Sequence, residues 1–113
     1  MLKEIKIGWR KYDIEICAKD KGKLLIATND CYGEISHDDS VIRLNADNSD
    51  EQSKCTLIHE VLHGIEHMYS INELKEEHTI KRLADALYTV LVDNNLEIVK
   101  KNLYNGFWLK FDV

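Results

Sequence analysis

Residues 59 to 67 read His59-Glu60-Val61-Leu62-His63-Gly64-Ile65-Glu66-His67 and contain the pattern H-E-x-x-H. On a helix, positions i and i+4 lie one above the other on a single face, so His59 and His63 can aim two imidazole nitrogens at one point. Such an arrangement suits a zinc ion. Glu60 lies about 100° around the helix from His59 and flanks the metal position, where it can hold a water without displacing the ion. That is the position of a general base. The pattern therefore demands a rigid helix before it says anything else about the fold.

The surrounding residues predict that helix. Cys55, Ile58, Leu62, Ile65 and Tyr69 recur at helical spacing, with Leu57, Val61 and Met68 beside them, as in a buried helix. Ser49 followed three residues later by Gln52 is a capping-box start, and Asp50 and Glu51 suit the positive end of the helix dipole. A helix over roughly residues 50 to 69 follows. If its histidines served only core hydrogen bonds, Glu60 between them would be a buried or edge carboxylate without purpose.

Upstream, Ile5, Ile7 and Trp9, then Tyr12, Ile14 and Ile16, alternate with polar residues in the manner of a strand with one face on a core. Gly8 or Lys11 is where it breaks. Residues 19–23 read as a turn, residues 24–28 fit strand and helix equally, and Asn29-Asp30 ends that stretch. Residues 32–36, 37–39 and 40–45 read as strand, tight turn and strand, a hairpin feeding into the H-E-x-x-H helix. The second of these strands, residues 40–45, is expected to border the cleft as a sheet edge, where an extended peptide can pair through its main chain. His37 beside Asp38 and Asp39 resembles a metal cluster, but at a hairpin tip such residues more often serve the turn and the solvent.

Downstream, Ser70-Ile71-Asn72-Glu73 offers another capping box, and a second helix is predicted from there to about Asn94. Its apolar face is Ile80, Leu83, Ala84, Leu87, Val90 and Leu91. Glu76 and Glu77 extend this stripe toward the helix start, where carboxylates packed against the first helix need a partner, and a metal is one. The bland alternative is an exposed acidic first turn matched to the helix dipole. His78 falls on the face of Lys81 and Asp85 and ranks lower as a ligand. Cys55, one turn before His59, can approach the metal, although ligands at i, i+4 and i+8 on one straight helix span too far for a single ion. Residues 96–103 are expected as a short helix, Asn105-Gly106 as a turn, and residues 107–111 as a final strand or extended cover.

With 113 residues, 44% hydrophobic and 31% charged, the chain is expected to form one domain over residues 1–113, α+β in class. The architecture expected is a small, mainly antiparallel sheet packed on two principal helices, with the metal between helices. No apolar run is long enough for a membrane span, and Met1-Leu2-Lys3-Glu4 opens no signal peptide, so a cytoplasmic location is expected. A net charge of -5 argues against broad nucleic-acid binding. Cys17, Cys31 and Cys55 form no C-x-x-C pair and read as reduced, mostly buried thiols.

The chain resembles the small ImmA/IrrE-like zinc metallopeptidases, or minigluzincins, of phages and mobile elements. The likeness runs through Tyr32-Gly33-Glu34-Ile35, Val41-Ile42-Arg43-Leu44, residues 56–63 and residues 77–94, roughly the last two-thirds of the chain. It implies a zincin-like fold, Zn2+ held by His59, His63 and a glutamate of the second helix, and Glu60 as base. For that glutamate it implies Glu77 first and Glu76 second. The activity implied is cleavage of peptide bonds in an intracellular protein such as a repressor. The Leu-Met-Pro ending of the second helix and the DNA-binding helix-turn-helix of larger members are not found here. His67 also gives a likeness to the H-G-x-L-H-x-x-G-x-D-H pattern of YbeY-like three-histidine ribonucleases, which would require a helix break at Gly64. Glu60 in the second position, the final H-x-x-x-H spacing and the acidic charge differ from that pattern. A third reading is a catalytically silent zinc-stabilised interaction module, for which Glu60 has no use, because structural zinc sites are closed by four protein ligands. Among Tyr69, Tyr88, His67 and Arg82, the sequence does not choose an oxyanion donor.

Overall fold

A computed structural model describes residues 3–18, 32–96, 98–101 and 108–111 of the chain. Gly8, at φ +63°, turns the first apolar stretch back on itself, a conformation that costs glycine nothing. Glu4–Ile7 (β1) and Arg10–Cys17 (β2) thereby form an antiparallel hairpin. Gly33–Ser36 (β3) and Val41–Asn45 (β4) form a second one, as the turn residues predict. The two hairpins join through a parallel pairing of β2 with β4, so the strand order is β1-β2-β4-β3.

The α+β class holds, with a mixed four-stranded sheet in which the outer pairings are antiparallel and the central one parallel. This corrects the expected edge. The strand over residues 40–45 lies inside the sheet, and β3 is at its border. Burial agrees with this place: Val41, Ile42, Leu44 and Asn45 are all buried, so β4 is covered on both faces.

Asp50–Tyr69 (α1) spans the predicted helix. Ser49 Oγ accepts the Gln52 N–H at 3.1 Å, but the Gln52 side chain donates to Thr56 Oγ1 at 2.9 Å instead of reaching back, so only half of the capping box forms. At the other end Ser70 adopts a left-handed conformation (φ 53°) and its N–H bonds to the Glu66 carbonyl. Ser70 thus closes α1 and does not open the next helix. A 3₁₀ turn, Asn72–Leu74, intervenes, and Glu77–Asp93 (α2) begins later than its apparent capping box implies.

One face of α1 lies on the sheet, where Leu57 joins Ile7, Tyr12, Ile42 and Leu44 in the main core. The opposite face meets α2, with Leu62, Ile80 and Ala84 buried together. Of the apolar face predicted for α2, Ile80 and Ala84 are buried while Leu83, Leu87 and Val90 are exposed. The helix rests on α1 and the 3₁₀ turn, which together cover a narrower stripe than a sheet would. The short helix expected over residues 96–103 is corrected too: Ile98–Lys101 (β5) pairs antiparallel with Trp108–Phe111 (β6), and β-branched Ile98 and Val99 favour that outcome. The readings for residues 19–30, Cys31 and Asn105-Gly106 lie outside the described residues. No helix among the described residues is long and apolar enough to cross a membrane.

Two glycines let α1 sit close to the strands. A Cβ on Gly64 would lie 2.5 Å from Ile7 Cδ1, and one on Gly33 would lie 2.8 Å from both the Arg43 carbonyl oxygen and Thr56 Cγ2. At Gly33 one obstacle is backbone, which cannot swing aside. Gly33→Ala is therefore expected to lower stability by about 1–3 kcal/mol, the usual cost of overpacking. Urea denaturation checks this, and an unchanged midpoint would contradict the close approach.

Candidate metal centre

The two faces of α1 that bury apolar side chains leave a stripe between them, and His59 and His63 lie on it. From α2, Glu77 reaches both rings. Its Oε1 lies 2.6 Å from His59 Nε2 and its Oε2 lies 2.7 Å from His63 Nε2, while the two Nε2 atoms are 3.2 Å apart. A tetrahedral zinc with bonds of about 2.0–2.1 Å separates its ligand atoms by about 3.3 Å, so the imidazole spacing fits such an ion. The carboxylate sits somewhat closer, at hydrogen-bond distance. The three residues form a group that can hold a metal ion, and no other trio of His, Cys, Asp or Glu converges in this way among the described residues.

The protonation state of His59 agrees with a ligand role. The contact between Glu77 and His59 has the distance of an ion pair. Burial nevertheless pushes the pKa of His59 down more than the carboxylate pulls it up, so the ring is read as neutral, the form that binds metal. Glu77 itself is exposed, with 65% of its side-chain surface open, because it is the first residue of α2. This corrects the expectation that Glu76 and Glu77 lie on a buried stripe. Glu77 approaches the rings from the solvent side, whereas Glu76 precedes the helix in extended backbone and stands outside the group, as does exposed His78.

Glu60 is 6% exposed and, with His59 and Glu77, lines a cavity of about 620 Å³ that also touches Tyr32, Gly33, Cys55 and Asp85. Burial, then the negative charges of Glu77 and Glu34, raise its pKa from 4.5 to about 8. Glu34 and Asp85 escape the motif-based reading. Glu34 is buried on β3 beside its cross-strand partner Arg43, 3.5 Å away, and the opposite charges of that pair in a predicted hairpin were the available signal. Asp85 accepts a hydrogen bond from Cys55 Sγ at 3.3 Å, and burial together with that bond pushes the thiol up to about 11. Cys55 is accordingly a protonated donor and not a member of the metal group.

Helix α1 continues unbroken through Gly64, so the kink needed to bring His67 to the ion is absent. The His67 ring instead stacks on His37, with centroids 3.8 Å apart and planes inclined by 10°. Burial and the neighbouring His67 and Arg10 charges lower the pKa of His37, whose Nδ1 lies 3.1 Å from the Tyr12 hydroxyl. His37 serves the hairpin turn and the end of α1, not the metal group.

No protein-family model, curated protein or solved structure matches the chain.

The raised pKa of Glu60 has a measurable consequence for the metal-free protein. Below pH 4.5 the group is neutral in both folded and unfolded chains. Between 4.5 and about 8 the unfolded chain ionises while the folded one resists, so stability falls as pH rises. Glu60→Gln removes this loss, and its stability advantage over wild type is expected to grow across that interval, to at most about 5 kcal/mol. Denaturation in chelator at pH 5 and pH 8.5 measures the difference, and an advantage independent of pH would overturn the assignment.

Proposed function

We propose that the chain is a zinc-dependent metallo-endopeptidase of the minigluzincin kind, acting in the cytoplasm on a protein substrate. The observation that carries this reading is the position of Glu60, a buried carboxylate beside the His59, His63 and Glu77 group in a cavity that opens past an edge strand. A purely structural zinc site has no need of such a neighbour. His59, His63 and Glu77 would hold the ion. When bound, zinc supplies Lewis-acid chemistry, polarising a carbonyl and acidifying water so that a nucleophile exists near neutral pH.

The chain's own groups supply the remainder. Glu60 accepts a proton from the attacking water and passes it to the departing amine, the role open to a carboxylate beside the metal group. Substrate enters as an extended strand. Asn45 N–H bonds to the Tyr32 carbonyl at 2.9 Å, and alternation along an antiparallel ladder then directs the main-chain groups of Ile35 away from β4. A peptide paired along β3 runs beside α1, within reach of Glu60. The resemblance to the phage-type family names the substrate class: an intracellular protein cut at few sites, such as a repressor encoded on the same element.

Two measurements test the proposal. Elemental analysis of chelator-free protein is expected to give about one zinc per chain. Loss of groups that merely support a ligand costs 10–100-fold in affinity, so Glu77→Gln should weaken zinc binding by at least about a hundredfold while His67→Ala leaves it unchanged. Incubated with neighbouring repressors, zinc-loaded wild type is expected to cut protein and Glu60→Ala to retain zinc but lose roughly 10²–10⁴-fold in rate. Cleavage of a structured single-stranded RNA instead, lost in the same variant, would overturn the peptidase reading in favour of a nuclease.

A further inference from the structure

The stacked pair of His37 and His67 has no part in the function described so far. His67 lies one helical turn beyond His63, about 6 Å along the axis, and continues the stripe that carries both imidazole ligands. Its partner is firmly held. Nδ1 of His37 meets the hydroxyl of fully buried Tyr12, and the His37 carbonyl accepts a 2.6 Å hydrogen bond from Arg10 Nη1. Flat stacking of two rings leaves the nitrogens of His67 at an open edge, and among the described residues no hydrogen bond engages them. The side chain is exposed at the Ser36 end of β3, since His37 directly follows that strand.

Tyr69 of α1 and Tyr88 of α2 are less suitably disposed. The Tyr69 hydroxyl lies only 3.5 Å from where a Cβ of Gly8 would sit, at the turn between β1 and β2. Tyr88 feels the charge of Glu51, toward the N-terminal end of α1. A preorganised donor aimed at a carbonyl is worth most where its ring needs no reordering when substrate arrives.

We propose that His67 is a further catalytic residue, donating a hydrogen bond to a substrate carbonyl beside the metal group on the Ser36 side, and that His37 is the positioning residue that fixes its ring. This rests on the metallopeptidase reading above. The binding energy is that of a hydrogen bond to a polarised or charged acceptor, sufficient for about a tenfold change in affinity.

The test uses the zinc-loaded full chain and acetohydroxamate, a small carbonyl-bearing probe directed at zinc. Probe binding is followed by imidazole ¹⁵N NMR, with zinc stoichiometry measured in parallel. In wild type the probe is expected to shift the His67 ring signals. His67→Ala should weaken probe binding about tenfold with zinc content unchanged, His67→Gln should recover most of it, and His37→Ala should give a partial loss. Equal probe affinity in wild type and His67→Ala would overturn the proposal, as would loss of zinc in that variant, which would make His67 a ligand. A wild type that binds zinc but not the probe also overturns it. Zinc stoichiometry near zero in wild type would instead bring down the metallopeptidase reading, and this inference with it. If zinc and probe bind as expected but no protein is cleaved, the hydrogen bond from His67 to a carbonyl beside the metal group stands, and its catalytic role falls with the proposed reaction.

Discussion

The contact on which the rest depends is the close seating of α1 against the sheet at Gly33 and Gly64, where a side chain would force helix and strand apart. Because the helix sits so low, Leu57 enters the core formed by Ile7, Tyr12, Ile42 and Leu44, and the opposite face is left for Leu62 to meet Ile80 and Ala84. A helix clamped on two sides cannot rotate about its axis. The stripe between the clamps is thereby fixed, and with it the direction of His59 and His63. Glu60, one residue around, is carried down toward Glu34 on β3, which explains how a carboxylate comes to be buried beside two others.

That crowding is held by a modest counter-charge. Arg43 is mostly buried and lies within 4 Å of Glu34, Glu15 and Asp39, yet its Nη1 makes no hydrogen bond of good geometry. Glu34 adds its negative field to that of Glu77 at Glu60. A buried acid beside two further carboxylates is a poor device for stability, since burial of charge costs more than loose pairing returns. It is a useful device for holding a proton near neutral pH.

Much of this was legible in the residues. The helix over residues 50–69 was readable because its apolar spacing, its Ser49 cap and its acidic first turn all agree, and local and tertiary preferences coincide there. The grouping of His59, His63 and Glu77 followed from helical spacing together with family likeness, although the route by which Glu77 arrives did not. Ser70 looks like an N-cap, but a serine in left-handed backbone can equally close a helix, and only the contacts of Leu74 and Ile80 with α1 decide where α2 begins. The edge strand was misread for a related reason. Pairing of β2 with β4 joins residues distant in the chain, and no local pattern specifies it. The run Val41-Ile42-Arg43-Leu44, apolar on both sides of one charge, was the one signal, and it is a short text.

The parallel pairing of β2 with β4 also bears on how the chain assembles. Both hairpins, α1 and its contact with α2 are built from neighbours in sequence, and such contacts close at small entropic cost and early. The β2–β4 seam and the packing of Ile7 and Tyr12 beneath α1 must wait for two preformed pieces to meet across the intervening chain. Everything that surrounds the metal group, from β3 through α1 to the start of α2, belongs to one of those pieces. The N-terminal hairpin contributes Ile7 and Tyr12 to the core beneath α1 but no member of the group. An ion present during folding would meet its three side chains before the sheet is complete, and it would act as a nucleus that draws the later strands onto an already tethered helix pair.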